Sequence, residues 1–282
     1  MADAGCGLLL VDKPAGVTSH DVVNGVRRRF GTRRGGHAGT LDPFATGLLV
    51  ILLGRATRLQ RYMLHLPKTY RVKARLGWRS STGDRDGELE HTGRSPINPQ
   101  LPEGELELPV PAYSAIKVEG RRLYKRARAG EDFTPPVRTM VVYRAHRMAL
   151  DGEFATFELD CSGGTYVRSV VETLSDAYCE ELVRLKVGGM SLDDADDEHV
   201  LDPLAGLGHL DRRGLSRDEA VSLVHGKVID AGADDGGGAP LALTLDETLI
   251  GVGVRGDDGL RAEAMLAGSP DELDSLVAGS GS

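Results

Sequence analysis

Apolar positions fall along this chain in short runs, and their spacing changes from segment to segment. Gly7 to Val11 is continuously apolar and stops at Asp12-Lys13-Pro14, which predicts a buried strand ending in a turn. Thr18 or Ser19 then caps a helix to about Phe30, with Val22, Val23 and Val26 on its inner face. Leu48 to Leu53 is a second continuous apolar element, closed by Gly54. Thr69 to Leu76 alternates, with Tyr70, Val72, Ala74 and Leu76 on one face, as a half-buried strand does. Gly83 to Gly87 reads as a polar turn and the Pro/Glu-rich stretch Ser95 to Pro109 as a loop. Val137 to Leu150 and Glu153 to Cys161 predict paired strands joined at Asp151-Gly152, and Thr165 to about Leu182 predicts a helix. The acidic run Asp193 to Glu198 is read as solvated surface or linker. Beyond it come a short helix from Ser216 through His225, a flexible loop from Gly232 to Gly238, and three candidate strands. Those strands run Leu241 to Leu245, Leu249 to Val254 and Leu260 to Met265; the tail from Gly279 to Ser282 is expected to be disordered. The pattern predicts a mixed α and β domain to about residue 195, followed by a small β-rich appendage.

Composition narrows the classes. At 282 residues with 40% hydrophobic content the chain can bury a sizeable core, whereas 5% aromatics leave few side chains for base stacking. No apolar segment approaches the ~20 residues a membrane helix needs. The start, Met1-Ala2-Asp3-Ala4-Gly5-Cys6, lacks the basic-then-apolar layout of a signal peptide. Cys6, Cys161 and Cys179 show no metal-ligand spacing and leave an odd thiol, so a reducing cytoplasm without a metal site is expected. The net charge of −8 is unevenly distributed. Residues 1–75 carry 13 Lys/Arg against 4 Asp/Glu, residues 76–150 carry 12 against 10, and residues 151–282 carry 9 against 28. A front half this basic suits a polyanion such as RNA, while the back half does not.

The most informative stretch is Gly36-His37-Ala38-Gly39-Thr40-Leu41-Asp42-Pro43-Phe44-Ala45-Thr46-Gly47-Leu48-Leu49. It sets one carboxylate in a tight turn beside a histidine and ahead of an apolar run. Pro43 fixes its own φ and pushes Asp42 out of the helical region, while the glycines permit close backbone approach. An isolated Asp-Pro is usually a hydrogen-bonded turn. A carboxylate held this firmly is also suited to act as nucleophile or base without help from the substrate.

Asp42 does not stand alone. Leu8-Leu9-Leu10-Val11-Asp12-Lys13-Pro14, Lys68-Thr69-Tyr70-Arg71-Val72, Pro111-Ala112-Tyr113-Ser114-Ala115-Ile116-Lys117 and Cys161-Ser162-Gly163-Gly164-Thr165-Tyr166-Val167-Arg168-Ser169 follow in order. Together with the Asp42 run, this set over residues 7–190 resembles the TruB-type tRNA pseudouridine synthases. The resemblance implies an α+β fold: a mixed or antiparallel-sheet catalytic domain over residues 1–195 and a small PUA-like C-terminal region over 200–282. It implies conversion of a T-loop uridine of tRNA (position 55) to pseudouridine, with the base flipped out of its stack. The C1′–N1 bond breaks, the uracil turns, and C1′ rejoins at carbon 5, with no metal, nucleotide or redox cofactor. By the same resemblance Asp42 is the catalytic nucleophile, Arg168 its charged partner, and Tyr70 the platform on which the uracil stacks. Whether the carboxylate attacks the ribose, attacks the ring or removes a sugar proton is open at the level of sequence.

The resemblance also implies that His37 occupies the RNA loop and that Lys13 shapes the pocket. Lys117, Arg121, Arg122, Lys125, Arg126 and Arg128 put six cations in twelve residues, with 121, 125 and 128 on one helical face. With Arg33 and Arg34 they form the expected phosphate-binding surface. Three features depart from the family pattern: a shortened stretch between Glu90 and Pro109, Ser175 to Glu181 in place of a longer segment, and Val183 in place of an arginine in Leu182-Val183-Arg184-Leu185. The expected partner is tRNA alone, bound by a monomer without membrane or obligate protein partner. Two other readings are a guide-RNA-dependent relative from a ribonucleoprotein and a tRNA-folding factor without essential catalysis. The acidic C-terminus disfavours the first, and the intact Asp42 run disfavours the second.

Overall fold

The longest apolar run is also the best-buried strand. In the computed structural model, which describes residues 6–279 apart from 115, 119, 120, 124, 125, 127–130, 132 and 233–237, Thr46–Leu53 (β3) is covered on both faces. Leu49, Ile51 and Leu53 pack with Val11, Val23 and Tyr70, while Leu48, Val50 and Leu52 pack with Met63, Leu66 and Leu207. A continuous apolar run is the signature of such two-sided burial. Gly7–Lys13 (β1) and Gly35–His37 (β2) both pair antiparallel to it.

Around these lie Lys68–Leu76 (β4), the hairpin Trp78–Ser80 (β5) and Leu89–His91 (β6), Gly104–Pro109 (β7), and the short pair Lys117–Val118 (β8) and Arg121–Arg122 (β9). Val137–Asp151 (β10), Phe154–Cys161 (β11), Ala177–Val187 (β12), Met190–Ser191 (β13) and Asp196–Leu201 (β14) complete the first part. The main sheet runs β14-β1-β3-β12-β4-β11-β10-β7, with β2 on β3 and β13 on β12. Its pairings are antiparallel except β3 with β12, which makes it a mixed sheet. The helix Ser19–Arg29 is capped by Thr18, whose Oγ1 accepts from Asp21 N at 3.1 Å while Asp21 Oδ2 accepts from Thr18 N at 2.9 Å.

Asp211–Gly214 (β15), Pro240–Leu245 (β16), Thr248–Gly256 (β17) and Gly259–Met265 (β18) form a second, four-stranded sheet in that order. Ala242, Leu249, Val252 and Ala264 join the same buried cluster as Leu8, Leu48 and Leu52. Helices Arg217–Val224 and Pro270–Gly279 cover the other face through Ala220, Leu223 and Leu273. The two sheets therefore share one core. Arg55 with Glu272 at 2.6 Å and Arg61 with Glu263 at 2.8 Å line the exposed rim of this contact.

Three expectations are corrected. The helix expected over 165–182 is only Val167–Glu172; Ser175 (φ 58°) and Asp176 (φ 41°) turn left-handed and the chain continues as β12. Asp176 anchors that turn: its carboxylate pairs with Arg79 and Arg94, and its carbonyl accepts from Gly77 N and Trp78 N. Pairing of β12 between β3 and β4 outweighs local helix preference. The loop expected over 95–109 ends in the edge strand β7, where Leu106 and Leu108 face the core between exposed Glu105 and Glu107. The acidic run at 193–198 is solvated surface, one of its two expected roles, but not a linker, because β14 pairs with β1 and closes that edge of the sheet. The expected Gly232 to Gly238 loop and the tail from 280 fall largely outside the described residues.

Gly47 marks a close backbone approach in the sheet. Its φ is +96°, and a Cβ there would lie 2.4 Å from Arg184 O and 2.9 Å from Arg184 N on the parallel neighbour β12. Gly47→Ala is therefore expected to lose more than about 2 kcal/mol of stability in urea unfolding. A loss under about 0.5 kcal/mol would contradict that contact.

Candidate active site

The loop 39–45, between β2 and β3, has its backbone held from three directions. Beneath it, the buried Arg184 of β12 donates from Nε to Leu48 O at 2.7 Å and from Nη2 to Gly39 O at 3.1 Å, with Nη1 3.4 Å from Thr40 O. From the first helix, Ser19 Oγ donates to Leu41 O at 3.0 Å and accepts from Leu41 N at 2.9 Å. From the β1 turn, Gly16 N donates to Pro43 O at 2.8 Å, and Lys13 Nζ reaches Pro43 O at 3.3 Å. The turn closes on itself through Ala45 N to Asp42 O at 3.2 Å. Three separate elements and the turn's own hydrogen bond thus fix where the Asp42 Cα sits.

The side chain is fixed by Arg168, at the start of the helix Val167–Glu172. Arg168 Nε lies 2.9 Å from Asp42 Oδ2. Its Nη1 donates to Thr82 O at 2.7 Å and sits 3.2 Å from Asp84 Oδ2, and its Nη2 donates to Tyr113 O at 3.1 Å. The guanidinium is 3% exposed and has no freedom to leave its carboxylate. A delocalised cation with a rigid fork of donors suits this position, and a lysine would satisfy fewer of these partners.

Asp42 opens on a cavity of about 420 Å³ lined also by Tyr70, Lys68, His65, Ser114, Thr165, Tyr166, Leu182 and Arg184. About 31% of its side-chain surface faces this space, and protein encloses the rest. Burial pushes the Asp42 carboxyl above the usual carboxylate range; Arg168 pulls it back and Asp84 adds a smaller push upward. Tyr70 is 7% exposed, and burial raises its phenol, which keeps the ring neutral. Burial lowers the Lys68 ammonium to about 8, and its Nζ donates to Leu64 O at 2.8 Å and Leu66 O at 2.7 Å. Among the described residues no His/Cys/Asp/Glu group has the arrangement to hold a metal ion.

Of the residues singled out in the sequence, Asp42, Tyr70 and Arg168 meet at this cavity. His37 does not line it: the half-buried ring lies on β2, its carbonyl accepts from Gln60 Nε2 at 2.8 Å, and burial lowers its pKa. Lys13 is fully buried, with Nζ donating to Pro14 O at 2.8 Å and Val17 O at 2.9 Å, so it braces the turn beside Asp42 and its ammonium is not at the surface. Arg33 and Arg34 are exposed beyond the first helix. Arg121 lies in β9 and pairs with Glu131 at 2.7 Å, so the expected helical stripe does not begin there. The side chains of Lys117 and Arg122, and all of Lys125 and Arg128, lie outside the described residues. Sequence reasoning missed Arg184 and Asp84, although Arg184 stood in a recognised segment and Asp84 in a recognised turn.

Residues 27–167, half the chain, match the family described as TruB family pseudouridylate synthase (N terminal domain). Fold and site together define the class, a pseudouridylate synthase. The chain is 39% identical to the tRNA pseudouridine synthase B of Arthrobacter sp. (strain FB24), covering 85% of this chain and 87% of that one. It is 38% identical to the tRNA pseudouridine synthase B of Leifsonia xyli subsp. xyli (strain CTCB07), covering 89% and 93%. The chain belongs to the TruB family. A chain of a Cbf5-Nop10-Gar1 complex shares the fold, with a TM-score of 0.70 at 20% identity over 95% of this chain and 87% of that chain.

The raised Asp42 pKa makes a prediction about stability. Between the ordinary carboxylate pKa and the higher folded value, the folded state binds more protons than the unfolded one, so stability falls as pH rises through that window. Above it the ionised carboxylate is a standing cost. Asp42→Asn is therefore expected to unfold at the same or a higher temperature than wild type at pH 7, read by thermal melts, as functional groups often trade against stability. A clearly lower melting temperature would mean that the Arg168 pair outweighs burial.

Proposed function

We propose that this chain isomerises the T-loop uridine of tRNA (position 55), with Asp42 as the nucleophile and the uracil extruded against Tyr70. As a TruB family member the chain is an enzyme that converts uridine to pseudouridine in tRNA. The observation that carries the finer reading is the Asp42–Arg168 pair at 2.9 Å on a cavity of nucleoside size. Arg168 favours the ionised form of a buried carboxylate against the effect of burial and aims it, and the side chain's open part faces the cavity where a sugar and base would enter. Tyr70 supplies a flat, neutral surface beside it, which offsets part of the unstacking penalty of a flipped base. The reaction is balanced within the substrate: C1′ leaves N1 and rejoins at C5, the C5 proton departs, and N1 takes one up.

Arg33 and Arg34 are assigned to phosphate contact, and both are exposed. Arg121 and the neighbouring Lys117, Arg122 and Lys125 belong to this reading as a second phosphate-facing segment. We assign residues 1–195 to a catalytic unit and 200–282 to a smaller PUA-like unit that braces it. No helix among the described residues is long and apolar enough to cross a membrane. The proposed working state is a cytoplasmic monomer that needs no guide RNA or protein partner.

The test is pseudouridine formation on unmodified tRNA transcripts, with wild type and Asp42→Asn side by side and the product mapped by position. Wild type is expected to modify the T-loop uridine and Asp42→Asn to leave it unchanged. Product at another position would overturn the substrate assignment. Wild-type product levels from Asp42→Asn would overturn the nucleophile.

A further inference from the structure

Most polar side chains lining the cavity already have protein partners. Arg168 and Arg184 are bound to carbonyls and a carboxylate, Lys68 to two carbonyls, and Thr165 Oγ1 lies 3.0 Å from Ser162 Oγ. Ser114 differs. The residue is 6% exposed, it lines the same cavity, and its Oγ has no hydrogen-bond partner among the described residues. A buried hydroxyl left without a partner is unfavourable, so its place in the fold asks for one.

We infer that Ser114 is a specificity-determining residue whose hydroxyl hydrogen-bonds the polar edge of the extruded uracil. The inference rests on the function proposed above. A serine hydroxyl both donates and accepts, which suits an edge that alternates carbonyl oxygens with an imide N–H. Enclosure favours the base over the sugar: Ser114 and Asp42 line the same cavity and Ser114 is the more buried residue, which suits the base that a flipped nucleotide carries in ahead of its sugar. The contact is also coupled to the chemistry. The preceding residue, Tyr113, gives its carbonyl to Arg168 Nη2 at 3.1 Å, so the guanidinium that holds Asp42 also locates Ser114. A pyrimidine whose edge mismatches the hydroxyl would leave both groups unpaired in a dry site, and such mismatches discriminate strongly.

The test uses the full chain and T-arm RNA hairpins carrying either uridine or an abasic ribose at the target position. Wild type is first shown to make pseudouridine on the uridine hairpin; if it makes none, the proposed function fails, and separately from this inference. Ser114→Ala is then expected to lose about tenfold in kcat/KM, with Ser114→Thr recovering most of it. On an Asp42→Asn background, which leaves the substrate intact, Ser114→Ala is expected to weaken binding of the uridine hairpin about tenfold and leave the abasic hairpin unaffected. Removing an unpartnered hydroxyl is expected to leave the melting temperature equal or higher. Wild-type kcat/KM for Ser114→Ala would overturn the inference. Equal weakening on both hairpins would move the contact to the sugar-phosphate and overturn it too, as would a lowered melting temperature with both RNAs bound poorly.

Discussion

One buried guanidinium holds this site together. Arg184 is 1% exposed, yet its donors reach Gly39, Thr40 and Leu48, carbonyls on both sides of the Asp42 turn. A charge so deep survives because the fork of donors is satisfied by oxygens whose lone pairs would otherwise be orphaned. It also hydrogen-bonds Tyr70, its register partner on β4, so the turn and the proposed stacking platform share one anchor. Gly47 permits this arrangement by letting β3 approach the Arg184 backbone where a Cβ would collide.

That anchor sets the electrostatics around it. Its positive charge helps to lower the Lys68, Lys13 and His37 pKa values and opposes the burial effect on Tyr70. At Asp42, as at Tyr70, burial is the larger influence, and it raises the carboxyl despite Arg168. Arg184 is thus the cation that places the loop, and Arg168 is the cation that orients the charge. Separating the two tasks leaves Arg168 free to bind Thr82, Asp84 and Tyr113 as well, which ties two distant segments, the 82–84 turn and the Tyr113 segment, to the carboxylate.

How much of this was legible in the sequence depends on the range of the interaction. The Asp42 turn, the Thr18-capped helix and the β10–β11 hairpin are local patterns, and the structure carries them where periodicity put them. The triad Asp42, Tyr70 and Arg168 was legible because each stands in its own short motif, and the fold brings the three to one cavity. The strand β12 was not legible. Val167, Val170, Val171 and Leu174 keep a true helical spacing into the turn, and only the left-handed Ser175 and Asp176 break it. Because β12 was missed, Arg184 was read as one residue of a segment and not as the clamp beneath the loop. The buried role of Lys13 was hidden for the same reason: its partner Pro43 O lies 30 residues away in sequence.

The most direct measurement of this account is the single-turnover rate of pseudouridine formation by Arg184→Lys, alongside its tRNA affinity and its thermal melt. Lysine keeps the charge but cannot reach carbonyls on both sides of the turn. The account predicts a folded protein whose rate falls about 100-fold while Kd for tRNA changes by less than about threefold, the signature of a displaced reacting group. A folded Arg184→Lys that reacts at the wild-type rate would contradict it, because Asp42 would then be placed by something other than this clamp.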